Sequence, residues 1–416
     1  MELEIGFGTT PQRVTIPDSN LAGVLLPNRV EVTLKGEAAV RDALAHPIGS
    51  PRLGELVKPG EKIVLITSDI TRPFPSHRAL PAALEELEGA GVSLGDVTLV
   101  FALGSHRKHT PDEMKKLVGE AVFAKVRCVD SDRDDFVRMG RTALGTPVDI
   151  TRVVAQADKR VGLGNIEFHY FAGYSGGAKA IMPGVSTREA IQVNHSRMTL
   201  PEAVAGRLGG NPVREDIEEA LSFCPLHFIL NAVLDEHKEI IFAAAGHPVE
   251  AHRAGCAFLD RLYKVEIPEK ADIVLVSQGG APKDLNLYQT QKALDNAKHA
   301  VKDGGIIILV GACGEGLGEA VFQEWMTTAT SPRSLVERIR RDFQLGGHKA
   351  AAIALVLERA EIYLVSQMEE ALVERLFMRP FGSVQSALDG AMEKMGNNAR
   401  ILVMPYGGST LPALKQ

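Results

Sequence analysis

The chain has 416 residues, 45% hydrophobic and 24% charged, with a formal net charge of −6, which is ordinary globular usage and argues against a nucleic-acid partner. Its length implies two or three domains, and its four cysteines, Cys128, Cys224, Cys256 and Cys313, form no Cys-x-x-Cys pair, which points to a reducing compartment without a disulfide or zinc-ribbon frame. The start Met1-Glu-Leu-Glu4 has no basic region followed by an apolar run, and no apolar run reaches bilayer length, so a cytoplasmic protein without membrane contact is expected.

Residues 1–60 are weakly patterned. Short apolar pieces at 24–26 and 30–33 predict edge strands. The β-branched run 62–67 predicts a strand buried on both faces, ending in Ser68-Asp69-Ile70-Thr71-Arg72-Pro73. A helix is expected over 78–88, then a strand over 97–103 that ends in Gly104-Ser105-His106-Arg107-Lys108-His109. Thr110-Pro-Asp-Glu113 fits a capped helix start. Asp69 and His106 thus lie just past the carboxyl ends of buried strands, where open α/β folds bind ligands. The plainer reading is a helix cap at Asp69 and a structural hydrogen-bonder at His106.

Residues 120–160 alternate short strands with charged turns, and a strand over 160–168 follows. It opens the stretch around which the chain is organised, 162–195. There Ala172-Gly-Tyr-Ser-Gly-Gly-Ala-Lys179 is a nearly uncharged, glycine-rich loop with one lysine. Its glycines predict close approach of the backbone to something, whereas an ordinary mobile surface loop carries more charge. It is not a P-loop, because Ala178 precedes the lysine where that motif needs glycine. Pro183-Gly184 closes the loop, and Ser186-Thr-Arg-Glu189 fits a capping box. His169 and His195 bracket the lysine.

Further on, a helix near 213–222, strands over 227–234 and 239–245 and a helix near 249–262 precede a linker at 267–270. A second α/β unit then offers strands over 272–277, 305–310, 361–365 and 400–404, and helices from 287 to about 357. The similar runs ending in Ser277-Gln278 and Ser366-Gln367 read as two parallel strands of one sheet. Tyr288, Gln289 and Lys292 fall at helical spacing, with Tyr288 and Lys292 on one face. Gly279-Gly280 precedes that helix, whose start can face a carboxylate; an exposed amphipathic helix is the plain alternative. The expected architecture is α/β, two domains with mainly parallel sheets flanked by helices, 1–267 and 268–416.

Histidine suits proton transfer near neutral pH and also binds nickel, copper and zinc. His106, His169 and His195 fit a three-histidine zinc site for hydrolysis, or two bases on opposite faces of a substrate with the third on a metal. A two-domain binding protein that closes on its ligand without turnover is the non-catalytic alternative. Spacing alone does not choose among them.

Asp69-x-Thr-Arg-Pro73, Gly104-Ser-His-Arg107, His169 with Ala172-Gly-Tyr-Ser-Gly-Gly-Ala-Lys179, Pro183-Gly184, Asn194-His195 and Tyr288-Gln289-x-x-Lys292 together resemble the lactate racemase family. That family uses a nickel-pincer nucleotide, a Ni(II)-pyridinium-3,5-bisthiocarboxylate mononucleotide bound through two sulfurs and a carbon. The resemblance implies that Lys179 holds this cofactor covalently as a thioamide and that His195 is the protein ligand to nickel. It implies that Asp69, Ile70, Thr71 and Arg72 hold the nucleotide, that His106 and His169 are the acid/base pair, and that Tyr288, Gln289 and Lys292 bind substrate. It further implies an active site in the cleft between the two domains and transient dealings with cofactor-synthesis proteins. The implied reaction moves hydride from C2 of a 2-hydroxy acid to the cofactor and returns it to the other face of a 2-oxo acid. The resemblance implies a substrate among lactate, malate, aromatic hydroxy acids and sugar acids, and a protein that binds such a hydroxy acid without turnover is the non-catalytic rival.

Overall fold

A computed structural model describes residues 1–235 and 237–415. The chain divides into two compact units, Val30–Arg261 and a second one made of Met1–Arg29 with Leu262–Gln416.

The Val30–Arg261 unit is built on a six-stranded sheet. Its order is Ile240–Gly246, Phe228–Leu234, Lys159–Asn165, Ile63–Ser68, Val97–Ala102, Arg127–Asp130. Every neighbour pair is parallel except the first, which is antiparallel at the edge. Leu65, Leu99, Leu163 and Leu230 of the strands bury against Ala79, Leu80, Ala83 and Leu87 of the helix Ser76–Gly89. Each fully buried leucine contributes about 1.5–3 kcal/mol, so this seam holds the strand ends in place. After Ile63–Ser68 the chain steps outward through Val97–Ala102 and Arg127–Asp130. It then returns to the other flank of Ile63–Ser68 with Lys159–Asn165. Loops leaving the carboxyl ends of strands that diverge in this way open a crevice, the usual ligand position in such sheets.

The second unit carries an all-parallel six-stranded sheet ordered Arg379–Phe381, Glu361–Val365, Val301–Val310, Ala271–Ser277, Ile401–Met404, Leu21–Val24. The two similar Ser-Gln strands are therefore parallel members of one sheet, separated by Val301–Val310.

Several expectations are corrected. The first 29 residues, placed above with the N-terminal domain, join the C-terminal unit, because Leu21–Val24 pairs with Ile401–Met404 and Ile5, Val14 and Ile16 enter that unit's core. The division falls at Arg261/Leu262 rather than 267/268. Residues 30–33 form no strand. Ser186 is not a helix cap: Thr187 accepts from the Ala190 amide at the start of Arg188–His195, while the Ser186 hydroxyl donates to the Ile181 carbonyl.

Candidate functional site

Asp69 follows the central strand Ile63–Ser68 and is almost fully buried, at 2% exposure. One of its oxygens accepts from the Thr71 amide at 2.8 Å and the Thr71 hydroxyl at 2.6 Å, while the Arg72 amide donates to the Asp69 carbonyl, closing a tight turn. The other oxygen is bonded to Nδ1 of His106, which stands at the end of the neighbouring strand. A carboxylate accepts only, so Nδ1 carries a proton and the lone pair of neutral His106 lies on Nε2. Burial pushes the Asp69 carboxyl up, but the bonds from His106 and Thr71 outweigh it and hold the group below its ordinary value. Ile70, Thr71 and Arg72 are exposed beside this pair.

A second histidine props the same turn. The His109 Nδ1 lies 2.6 Å from an Asp130 oxygen, and the Ile70 amide donates to its Nε2 at 3.0 Å. With both ring nitrogens occupied, His109 is structural.

The lysine loop folds across the same sheet edge. Gly104 donates to the Gly184 carbonyl at 2.9 Å, which ties the His106 loop to the closing Pro183-Gly184 turn. The close approach expected of the glycines is to the protein itself. A Cβ at Gly173 would lie 2.1 Å from the Arg207 carbonyl oxygen, and one at Gly177 would lie 2.8 Å from the His252 ring. Gly177 also donates to the Asn231 side chain at 2.8 Å. Lys179 lies in a short 3-10 turn, Gly177–Ala180. The residue keeps some exposure, but its surroundings are poorly solvating. Burial first, then the positive charges of Arg72 and of buried Arg214, hold its amine well below the ordinary lysine value.

His195 ends the helix Arg188–His195 and is buried, at 8% exposure. Its Nδ1 lies 2.8 Å from the Asn194 side-chain oxygen. The Phe171 ring packs edge-on against it at 5.0 Å, and His169 packs edge-on against Phe171 at 4.5 Å. Nδ1 of His169 accepts from the Ala172 amide at 3.2 Å, so the neutral ring carries its proton on Nε2. His169 and His106 are thus set in opposite tautomers.

In the other unit, Tyr288, Gln289 and Lys292 project from the helix Leu287–Ala297, with Gln289 and Lys292 exposed. The Lys349 ammonium lies 4.0 Å from the Tyr288 ring centroid. The expectation that this helix start faces a carboxylate fails, because its first amides are taken by Gly316, Leu317 and Asn286. Gly279 and Gly280 pack backbone to backbone on Gly6 and Gly8 instead.

Among the described residues no three His, Cys, Asp or Glu side chains converge as a metal cluster, which speaks against the three-histidine zinc reading. No helix is long and apolar enough to cross a membrane among those residues. Sequence reasoning missed Asp216, Arg214 and the His109–Asp130 prop. Asp216 and Arg214 interrupt the buried face of the helix Pro212–Glu219 beside Val213 and Ile217, and a charge on an apolar helical face was the available signal.

Comparison with known proteins agrees with this layout. The sequence matches the lactate racemase N-terminal domain over residues 7–206 and the lactate racemase C-terminal domain over residues 267–411. It is 34% identical to a lactate racemase from Thermoanaerobacterium thermosaccharolyticum, with 98% of each chain covered. It is 32% identical to one from Lactiplantibacillus plantarum, covering 94% of this chain and 95% of that protein. The solved lactate racemase apoprotein from the former organism superimposes with a TM-score of 0.89 at 33% identity, covering 99% of this chain and 100% of that one. A Thermotoga maritima protein shares the fold at 18% identity, with a TM-score of 0.64 over 92% of this chain and 100% of that one. Matched over nearly its whole length in sequence and in fold, the chain belongs to the lactate racemase family, enzymes of the isomerase class.

Proposed function

We propose that the protein racemises a 2-hydroxy acid, lactate or a near relative, with a nickel-pincer nucleotide held by the Val30–Arg261 unit. One observation carries the reading: a buried carboxylate fixes the His106 tautomer beside a glycine-rich loop whose lone lysine has a strongly lowered amine. The residues fit that group. A depressed amine would be a competent nucleophile toward the carbon of a thiocarboxyl group, so Lys179 would hold the nucleotide as a thioamide, with the carboxyl oxygen leaving as water. His195, with its proton on Nδ1, presents the Nε2 lone pair, a donor that nickel(II) accepts. The Asp69–Arg72 turn offers a cation and hydrogen-bonding groups for the nucleotide.

When bound, the nucleotide supplies a reversible acceptor for the C2 hydride, avoiding a carbanion that a carboxylate stabilises poorly. The side chains supply the rest. His106 takes the substrate hydroxyl proton on Nε2, and Asp69 stabilises the imidazolium that results. His169 serves the opposite face: its neutral ring only hydrogen-bonds the substrate oxygen from Nε2, and it gives up that proton once Nδ1 has turned from the Ala172 amide and been protonated, which leaves an Nδ1–H ring able to accept at Nε2 in the reverse direction. Lys292 meets the substrate carboxylate and Gln289 and Tyr288 orient it, on the strength of the family pattern. Proteins that build the nucleotide deliver it.

The test is chiral chromatography of L- and D-lactate with protein made in cells that also carry the cofactor-making enzymes, alongside intact mass and metal analysis. Interconversion by protein carrying nickel and an adduct on Lys179 is expected. Loaded protein that leaves every 2-hydroxy acid tried unchanged overturns the proposal, and zinc without an adduct revives the hydrolase.

A further inference from the structure

We infer that Asn194 and Asp216 are positioning residues that dictate which nitrogen of His195 faces the metal. The inference rests on the reading of His195 as the nickel ligand, but its geometry stands independently. Asp216, on the helix Pro212–Glu219, is 1% exposed, and Asn194 is fully buried. Four side-chain groups surround the Asp216 oxygens: the Thr142 hydroxyl at 2.5 Å, the Thr146 hydroxyl at 2.6 Å, the Asn194 amide at 2.7 Å and Arg197 at 3.4 Å.

The direction of each bond is forced. The Thr146 amide donates to the Thr142 hydroxyl oxygen at 3.1 Å, so the Thr142 proton points to Asp216. Arg197 donates to the Thr146 hydroxyl oxygen at 3.0 Å, so the Thr146 proton points there too. Every contact thus makes Asp216 an acceptor. The Asn194 atom facing it must be the NH2, which also donates to the Val213 carbonyl at 3.2 Å. The Asn194 oxygen is then the atom facing His195, and it can only accept. The proton of neutral His195 is therefore on Nδ1 and the lone pair on Nε2. Amide rotation would set oxygen against carboxylate oxygen. Outer partners that hold a ligating histidine in one tautomer are a recurrent device of metal sites, and losing them costs about 10–100-fold in metal affinity or activity.

The experiment compares wild type with Asn194→Leu and Asn194→Asp. Nitrogen-15 NMR of the apoprotein reads the His195 tautomer, and chelator challenge of cofactor-loaded protein reads nickel release by metal analysis. Wild type should show the Nδ1–H form. Asn194→Leu, near in shape but without an acceptor, should lose that preference and release nickel about 10–100-fold faster. Asn194→Asp keeps an acceptor for Nδ1–H and, with one proton held between its second oxygen and Asp216 so that the two carboxyls do not face each other charged, should recover the tautomer. An Nε2–H tautomer in wild type overturns the inference whatever the variants do, as does an Asn194→Leu protein with unchanged tautomer and nickel release. Loaded wild type without nickel refutes the proposed function instead, and leaves the tautomer measurement standing.

Discussion

Replacing Asp69 by asparagine keeps shape and removes the acceptor that faces His106. The Thr71 amide and hydroxyl both donate to one carboxylate oxygen, so the asparagine oxygen takes that position. Its NH2 then meets His106 Nδ1, which must accept rather than donate. The proton of neutral His106 moves to Nε2, the atom assigned to take the substrate proton. Loss of a general base costs about 10²–10⁴ in rate, or roughly 3–5 kcal/mol of transition-state stabilisation. The upper end applies if no water substitutes, since carboxylate-to-amide changes behind a catalytic histidine cost about 10⁴ in serine proteases. The fold should be retained, because the turn keeps its two Thr71 bonds and loses one charge-assisted bond, worth about 1.5–3 kcal/mol. The assay is lactate racemisation per bound nickel, so that weaker nucleotide binding is not mistaken for lost proton transfer. A variant racemising within about threefold of wild type per nickel, a small fraction of the expected loss, would refute the tautomer argument.

Acid titration gives a second check on the pair. The Asp69 value is lowered in the folded protein, so its contribution is fully present above the unfolded carboxyl value of about 4 and fades as pH falls through the folded value. The stability difference between wild type and Asp69→Asn, followed by urea unfolding, should therefore shrink below about pH 4, and a constant difference contradicts the assignment. Lys179→Ala should abolish racemisation with an unchanged melting temperature, and in wild-type apoprotein an amine-selective reagent near neutral pH should modify Lys179 ahead of ordinary lysines, read by peptide mass mapping; an active variant or an unreactive lysine counts against it. His106→Ala and His169→Ala should show opposite enantiomer preferences in stopped-flow cofactor absorbance, since each leaves one face served; identical responses would make one of them structural.

The central strands were legible because β-branched runs such as Ile63–Ser68 and Ala271–Ser277 carry their burial in their composition. The placement of Asp69 and His106 past strand ends follows from those runs, but the strand expected over 160–168 stops at Asn165, and His169 sits in a separate two-residue strand, Phe168–His169, paired with Gly173–Tyr174. What was not legible depends on distant partners. Leu21–Val24 is four residues of weak pattern, and only its pairing with Ile401–Met404 assigns it to a unit. At Ser186-Thr187 two adjacent hydroxyls satisfy the same local cap rule, and the choice is made by the Ile181 carbonyl that claims the serine. The helix start after Gly279-Gly280 reads as able to face a carboxylate, but a glycine pair says only that something comes close. Here that something is the backbone of Gly6 and Gly8.

His106, His109, His169 and His195 show why residue type alone could not assign roles. Each is defined by what holds Nδ1. For His106 it is a buried carboxylate, which keeps the lone pair on Nε2. For His195 it is an amide oxygen, which keeps the same tautomer without placing a charge against the ring, a better match for the nickel-ligand role proposed for it. For His169 it is a backbone amide donor, which reverses the tautomer and makes the resting ring a donor. For His109 it is Asp130, but the Ile70 amide consumes the remaining lone pair, and the same kind of carboxylate partner that suits His106 to the role proposed for it leaves His109 a prop. The partner of His106 lies 37 residues away in the chain and that of His109 lies 21 away. The difference between a catalyst and a support is therefore written in which strand ends the sheet brings side by side, and the imidazole itself carries none of it.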